Sequence, residues 1–126
     1  MSPLVQKKIL VIDDEKEAVE LVADRLRFWK YEVLESYSGQ DALQKIAENK
    51  PDLILLDIRM PGMDGFEVCK RLKKDDNNKN IPVIMFTAQS ERECIAKATE
   101  CGAQDYLAKP YEPDVLLRKI RMALRK

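Results

Sequence analysis

Three runs of the chain, Ile9–Ile12, Leu53–Leu56 and Val83–Phe86, are apolar at every position. Continuous apolar strands have no face to offer to water, so they predict a sheet covered by helices on both sides. Glu32–Glu35 and Asp105–Ala108 complete the set of strand candidates. Between the runs the apolar spacing turns helical, as in Val19, Val22, Ala23 and Leu26, or in Leu116, Leu117, Ile120 and Leu124. A side-chain acceptor followed three residues later by an acid marks four helix starts: Asp14-x-x-Glu17, Ser38-x-x-Asp41, Asp64-x-x-Glu67 and Ser90-x-x-Glu93. The fifth helix opens with Pro113 in its first turn, where a missing N–H costs nothing. The order is (βα)5, an α/β fold, and right-handed crossovers place its strands in one parallel sheet. Periodicity does not rank the strands within that sheet.

A chain of 126 residues accommodates one domain, 1–126, with its core over about 8–124. A domain of this size buries roughly 68% of the surface its unfolded chain exposes, so no metal or disulfide staple is required. The hydrophobic fraction of 45% fits that reading. Lys+Arg and Asp+Glu both number 22, so the positive excess that direct nucleic-acid binding calls for is missing. The chain has no His, which excludes His general bases, Ser-His-Asp triads and His-ligated metals. Any metal is therefore expected on oxygen ligands. Cys69, Cys94 and Cys101 are an odd set without a C-x-x-C pair, which fits a reducing cytosol better than a disulfide framework or a zinc site. No apolar run approaches the ~20 residues of a membrane span and no signal-peptide core follows Met1, so a soluble, cytoplasmic protein is expected.

The chemistry gathers where the predicted strands end. Asp13 and Asp14 follow the first strand, Asp57 the third, Thr87 the fourth and Lys109 the fifth. Parallel strands bring all five side chains to one edge, where open α/β sheets bind ligands. Carboxylates crowded together cannot all stay ionised without compensation, and a hard divalent cation and Lys109 are the compensators at hand. Mg²⁺ suits this donor set, because it takes one or two carboxylates, keeps waters and completes its octahedron with phosphate oxygens. Asp14 has a second reading as the cap of the first helix, compatible with ligation through water. Asp13 and Asp57 have none, since an acid closing a buried strand is costly unless paired or metal-bound.

The chain resembles a response-regulator receiver domain of bacterial two-component signalling, on Asp57-Ile-Arg-Met-Pro-Gly-Met-Asp-Gly65 supported by Asp13-Asp14, Thr87-Ala88, Gly102-Ala-Gln-Asp-Tyr106 and Lys109-Pro110. The likeness runs from Lys8 to about Leu124. It implies a flavodoxin-like, doubly wound sheet of order 2-1-3-4-5. It also implies that Asp57 accepts a phosphoryl group from a phosphohistidine of a sensor kinase or phosphotransfer protein. Mg²⁺, for which Mn²⁺ can substitute, would bind Asp13 and Asp57 directly, Asp14 largely through water, and the backbone carbonyl of Arg59. Lys109, the Thr87 hydroxyl and the Ala88 backbone N–H would contact the phosphoryl group. Inward movement of Thr87, with Tyr106 filling the vacated space, would switch a protein-binding surface. The Lys109–Pro110 bond is implied to be cis. Arg59 and Gln89, each two residues beyond a site residue, are expected to overhang the phosphoryl group and set its lifetime.

The chain departs from the family pattern in two places. Lys30 replaces the usual Gly before Tyr31, and a left-handed turn there would strain it by ~1 kcal/mol. Gln104 stands at an often acidic position, whereas Asp105, Lys119 and Arg121 resemble residues that pair across receiver dimers. A monomer or a phosphorylation-dependent dimer is expected, acting on a downstream protein target or an output domain outside this chain. It reads as either a stand-alone receiver or part of a longer regulator. An aspartyl-phosphate phosphohydrolase would place a second acid where Arg59 stands. A flavodoxin-like redox carrier would need a Ser/Thr/Gly phosphate loop where Asp13-Asp14-Glu15 would repel the phosphate. Cys94 and Cys101 read as packing residues, and the basic end of the last helix as complementing its dipole.

Overall fold

The structure, a computed structural model, describes residues 6–87 and 92–125, without the side chains of 92–94. Five strands alternate with five helices: β1 Lys8–Ile12, α1 Lys16–Phe28, β2 Glu32–Ser36, α2 Gly39–Glu48, β3 Leu53–Asp57, α3 Gly65–Lys74, β4 Val83–Thr87, α4 Arg92–Glu100, β5 Asp105–Ala108 and α5 Pro113–Leu124. The strands form one parallel sheet of order β2-β1-β3-β4-β5. The three wholly apolar runs are its three inner strands, and the mixed ones lie at its edges, where side chains meet water.

Period-two alternation sends inner-strand residues into two cores. Leu10, Ile12, Ile54, Leu56, Val83 and Met85 meet α2, α3 and α4 through Ala42, Ile46, Val68, Leu72 and Ala98. Ile9, Val11, Leu53, Leu55, Ile84 and Phe86 meet α1 and α5 through Val19, Val22, Leu26, Leu116 and Ile120. Among the helix starts, Ser38 accepts from the Asp41 N–H at 3.1 Å and Asp64 from the Glu67 N–H at 2.9 Å, both as the spacing predicts. Pro113 stands at the start of α5 after its N-cap Glu112. The motif at Ser90 lies outside the described residues.

The first helix ends on a left-handed residue, Lys30, at φ 74°. The Lys30 N–H donates to the Arg27 carbonyl and the Tyr31 N–H to the Leu26 carbonyl, and Tyr31 and Leu26 belong to one core. This paired closure is the glycine-favouring helix end, here occupied by a Cβ-bearing residue. Lys30→Gly is expected to stabilise the chain by about 1 kcal/mol, raising the melting temperature by roughly 3–6 °C. Thermal and urea unfolding check this, and a variant no more stable than the parent would show that Lys30 carries no strain.

Candidate functional site

Asp57 is the last residue of β3 and Thr87 the last of β4; Asp13 and Asp14 follow β1, and Lys109 follows β5. Ile12 pairs with Leu56 in register, so Asp13 and Asp57 leave the sheet side by side. One oxygen from each of Asp13, Asp14 and Asp57 lies within 4.8 Å of the others. Asp13 is 5% exposed, Asp57 is half-buried and Asp14 faces solvent. Lys109 reaches across from the neighbouring loop, its Nζ 3.2 Å from Asp57 Oδ1 and 3.3 Å from Asp13 Oδ2. The Lys109–Pro110 bond is cis.

These distances set the charges. Burial raises the Asp57 pKa; Lys109 opposes the rise, and Asp13 and Asp14 add to it, leaving the group above its usual value. Burial disfavours the Lys109 ammonium, yet Asp57 and Asp13 more than offset this and hold its pKa above the usual lysine value. One ammonium thus touches two of the three acids, and the remaining negative excess is left to solvent or to a cation. The oxygen-only donor set, unevenly exposed and facing one point, fits a hard divalent cation.

One expectation is corrected. The N-cap of α1 is Glu15, without a side-chain cap bond, and Asp14 does not cap the helix. The chain stays extended for one residue beyond the acid pair, so the helix starts at Lys16, and Asp13 Oδ1 takes the Glu15 N–H at 3.0 Å instead. Asp14 is thereby left to the acid cluster.

Thr87 is buried on the strand beside Asp57, and its carbonyl accepts from the Lys109 N–H at 2.7 Å. Met85 pairs with Tyr106, and Thr87 with Ala108, so Thr87 and Tyr106 belong to the same sheet face. Tyr106 is half-buried, with the Lys119 ammonium 5.7 Å from its ring centre. That ammonium is held by Asp105 at 3.0 Å, an ion pair within one chain. Arg59 is exposed at the rim, while Ala88 and Gln89 lie outside the described residues.

Two residues that sequence reasoning passed over complete the site. The Phe86 ring, beside Asp57 in register, lies 5.7 Å from Lys109 Nζ and so gives the ammonium an apolar but attractive floor. Gly65 opens α3 directly against the Asp57 backbone, where a Cβ would collide with the Asp57 carbonyl oxygen and Ile58 Cα. Within the Asp57–Gly65 motif, the glycine was the legible signal for this approach; nothing local marks Phe86. An apolar cleft of about 350 Å³ beside the acids, with Leu21, Val22 and Tyr111 in its walls, shares Asp13 and Lys109 with the site.

The profile of the Response regulator receiver domain matches residues 9–121. The chain is 42% identical over 123 residues to the phosphate regulon transcriptional regulatory protein PhoB of Pseudomonas aeruginosa, covering 98% of this chain and 54% of that protein. It is 42% identical over 118 residues to response regulator PleD of Caulobacter vibrioides, covering 94% of this chain and 26% of that one. The chain thus spans from a quarter to about half of the length of these relatives. Among solved structures, chemotaxis protein CheY4 of Vibrio cholerae superposes with a TM-score of 0.90 at 31% identity, covering 95% of this chain and 100% of that one. A CheY-like receiver domain protein of Methanospirillum hungatei gives 0.89 at 30% identity, covering 96% and 95%.

The raised Asp57 pKa has a stability consequence whose sign is fixed. The folded state disfavours ionised Asp57, a cost absent below the ordinary value of 3.8, growing as pH rises toward the folded pKa and constant above it. Asp57→Asn is therefore expected to stabilise the metal-free chain at pH 7, with the advantage shrinking as pH falls through the raised folded pKa and gone by the ordinary value of 3.8. Melting curves of both proteins in chelator across pH test this; equal stability at pH 7 would mean that Lys109 fully neutralises Asp57.

Proposed function

The chain belongs to the response-regulator receiver domain family of two-component signalling, and from that premise we propose that it is a phosphorylation-controlled binding module with Asp57 as its phosphoacceptor. The observation that carries this reading is the placement of Asp57 beside Asp13 and Asp14, with the Lys109 ammonium bridging Asp57 and Asp13. An Asp57 oxygen attacks the phosphorus of a phosphohistidine on a sensor kinase or phosphotransfer protein. The P–N bond breaks as the P–O bond forms, leaving an acyl phosphate on Asp57 and a neutral imidazole on the donor once its nitrogen is reprotonated. Phosphoryl transfer asks for positioning and charge neutralisation rather than covalent help, and Lys109 supplies both from a fixed ion pair.

Asp13, Asp14, Asp57 and the Arg59 carbonyl would hold Mg²⁺, or Mn²⁺ in its place. Bound there, the cation would neutralise charge on the phosphoryl oxygens. Thr87, at the end of the strand next to Asp57, donates its hydroxyl to a phosphoryl oxygen, with the Ala88 N–H as second donor. Tyr106 shares its sheet face and follows the movement of Thr87, altering the α4–β5–α5 surface. The protein's catalysis is limited to its own phosphorylation and slow dephosphorylation. Its partners are the phosphodonor protein and a downstream protein or output domain, bound by a monomer or a phosphorylation-dependent dimer in the cytoplasm, without direct nucleic-acid or membrane contact. Among the described residues no helix is long and apolar enough to cross a membrane.

Acetyl phosphate with Mg²⁺ is expected to phosphorylate the parent and not Asp57→Asn, while Mg²⁺ raises the melting temperature of the parent alone. A hydroxylamine-labile phosphoryl group on the variant would overturn the assignment of Asp57. Arg59→Ala is expected to change the rate of phosphoaspartate decay at least ~3-fold, about 0.65 kcal/mol in barrier, with little effect on folding. Decay at the parental rate would place the control of lifetime in the buried residues. Gln89→Ala is expected to behave as Arg59→Ala does.

A further inference from the structure

Away from the phosphoacceptor edge, two cysteines from distant parts of the chain meet between α3 and the turn leading into β5. Cys69 is wholly buried in α3 and Cys101, 7% exposed, follows α4. They are 32 positions apart, yet the Cys69 thiol donates to the Cys101 carbonyl at 3.3 Å, and the Cys101 thiol donates to the Ala98 carbonyl at 3.2 Å. Both are free thiols. Lys73, one turn beyond Cys69, points its half-buried ammonium at the carbonyls of Lys79 and Ile81, at 3.1 and 2.7 Å. No carboxylate pairs with it among the described residues. A half-buried cation without an acid favours an anion nearby, and among the described residues these two thiols are the ionisable groups that act on it.

The two cysteines are not equivalent. The neighbouring Cys69 side chain is the main influence on the Cys101 thiol; it outweighs burial and, with backbone hydrogen bonding at Ala103 and the Lys73 ammonium, brings Cys101 to about 7. The Cys101 side chain and burial push Cys69 far up. A groove of about 380 Å³ between α3 and α4, walled by Phe66, Lys70, Lys97 and Glu100, opens onto Cys101. Cys101 is thus the reachable thiol, and Cys69 lies behind it.

We propose that Cys101 and Cys69 form an oxidation site, in which Cys101 reacts with hydrogen peroxide and Cys69 resolves the product into a disulfide joining α3 to the turn before β5. The Cys101 thiolate attacks one peroxide oxygen, the O–O bond breaks, and hydroxide leaves to be protonated to water; Cys101 is now a sulfenic acid. The Cys69 sulfur then attacks the Cys101 sulfur, the S–O bond breaks, and hydroxide leaves and takes the Cys69 proton as a second water. Two thiols are oxidised by two electrons and one peroxide is reduced to two waters. The bond would tether the segment that leads into Tyr106 and Lys109 covalently to a helix that otherwise holds it by packing and the Cys69 hydrogen bond.

The test uses the whole chain carrying Cys94→Ser, which removes the third cysteine and leaves the pair untouched. Hydrogen peroxide is expected to take the thiol count from two to zero, dithiothreitol to restore it, and peptide mapping to find a Cys69–Cys101 link within one chain. With Cys69→Ser added, a dimedone adduct is expected on Cys101. Without oxidant, iodoacetamide is expected to alkylate Cys101 in the folded chain at least ~10-fold faster than Cys69, the direction set by thiolate fraction and access. Two thiols surviving peroxide in the folded chain, a link only between chains, or equal alkylation rates would each overturn the proposal, and these readings need no variant of either cysteine.

Discussion

Like charges held at the carboxyl edge of a buried sheet are the constraint around which this molecule is arranged. Asp13 and Asp57 sit at the ends of two adjacent inner strands, so the backbone pairing that builds the sheet also forces their carboxylates together. The Lys109 ammonium makes that arrangement tolerable by standing between them at 3.2–3.3 Å. Burial, offset only in part by Lys109 and reinforced by Asp13 and Asp14, still leaves the pKa of Asp57 raised. A site holding more negative charge than its own cation can balance has a donor set that fits a hard divalent ion.

Everything nearby works to hold those atoms still. The Glu15 N–H fixes Asp13, the Phe86 ring and the Thr87 carbonyl fix Lys109, and Gly65 lets α3 begin against the Asp57 backbone. The two cores on either side of the sheet lock the inner strands from both faces, so the edge cannot spread to relieve the repulsion. By contrast, Tyr106 lies on the edge strand β5 against the Lys119 ammonium, itself tied to Asp105, and is only half-buried.

Local rules spoke for most of the elements. Apolar runs marked the strands covered on both faces, helical spacing marked the helices, and Ser38, Asp64 and Pro113 opened helices where their side chains said they would. The acids were legible because polar groups at the ends of buried strands have few structural uses, and parallel topology brings such ends to one edge. Asp14 misled for a local reason: its spacing to Glu17 mimics a cap, but the chain stays extended past the site and begins its helix one residue later.

What the sequence by itself determined was therefore what depends on neighbours along the chain: element type, the strands covered on both faces, and the residues stranded at their ends. Lys30 drew notice only by resemblance, standing where the family usually has Gly, and the structure gives its left-handed backbone. What only the tertiary structure decided depends on neighbours in space. The 2-1-3-4-5 order came to the sequence only by resemblance and is made by hydrogen bonds between strands distant along the chain. The Lys109 bridge spans 96 positions to Asp13, and the contact of Cys69 with Cys101 spans 32. Periodicity records which face of an element is buried and leaves unsaid what is buried against it, because side-chain hydrophobicity is a local property and partnership is set by how the layers close.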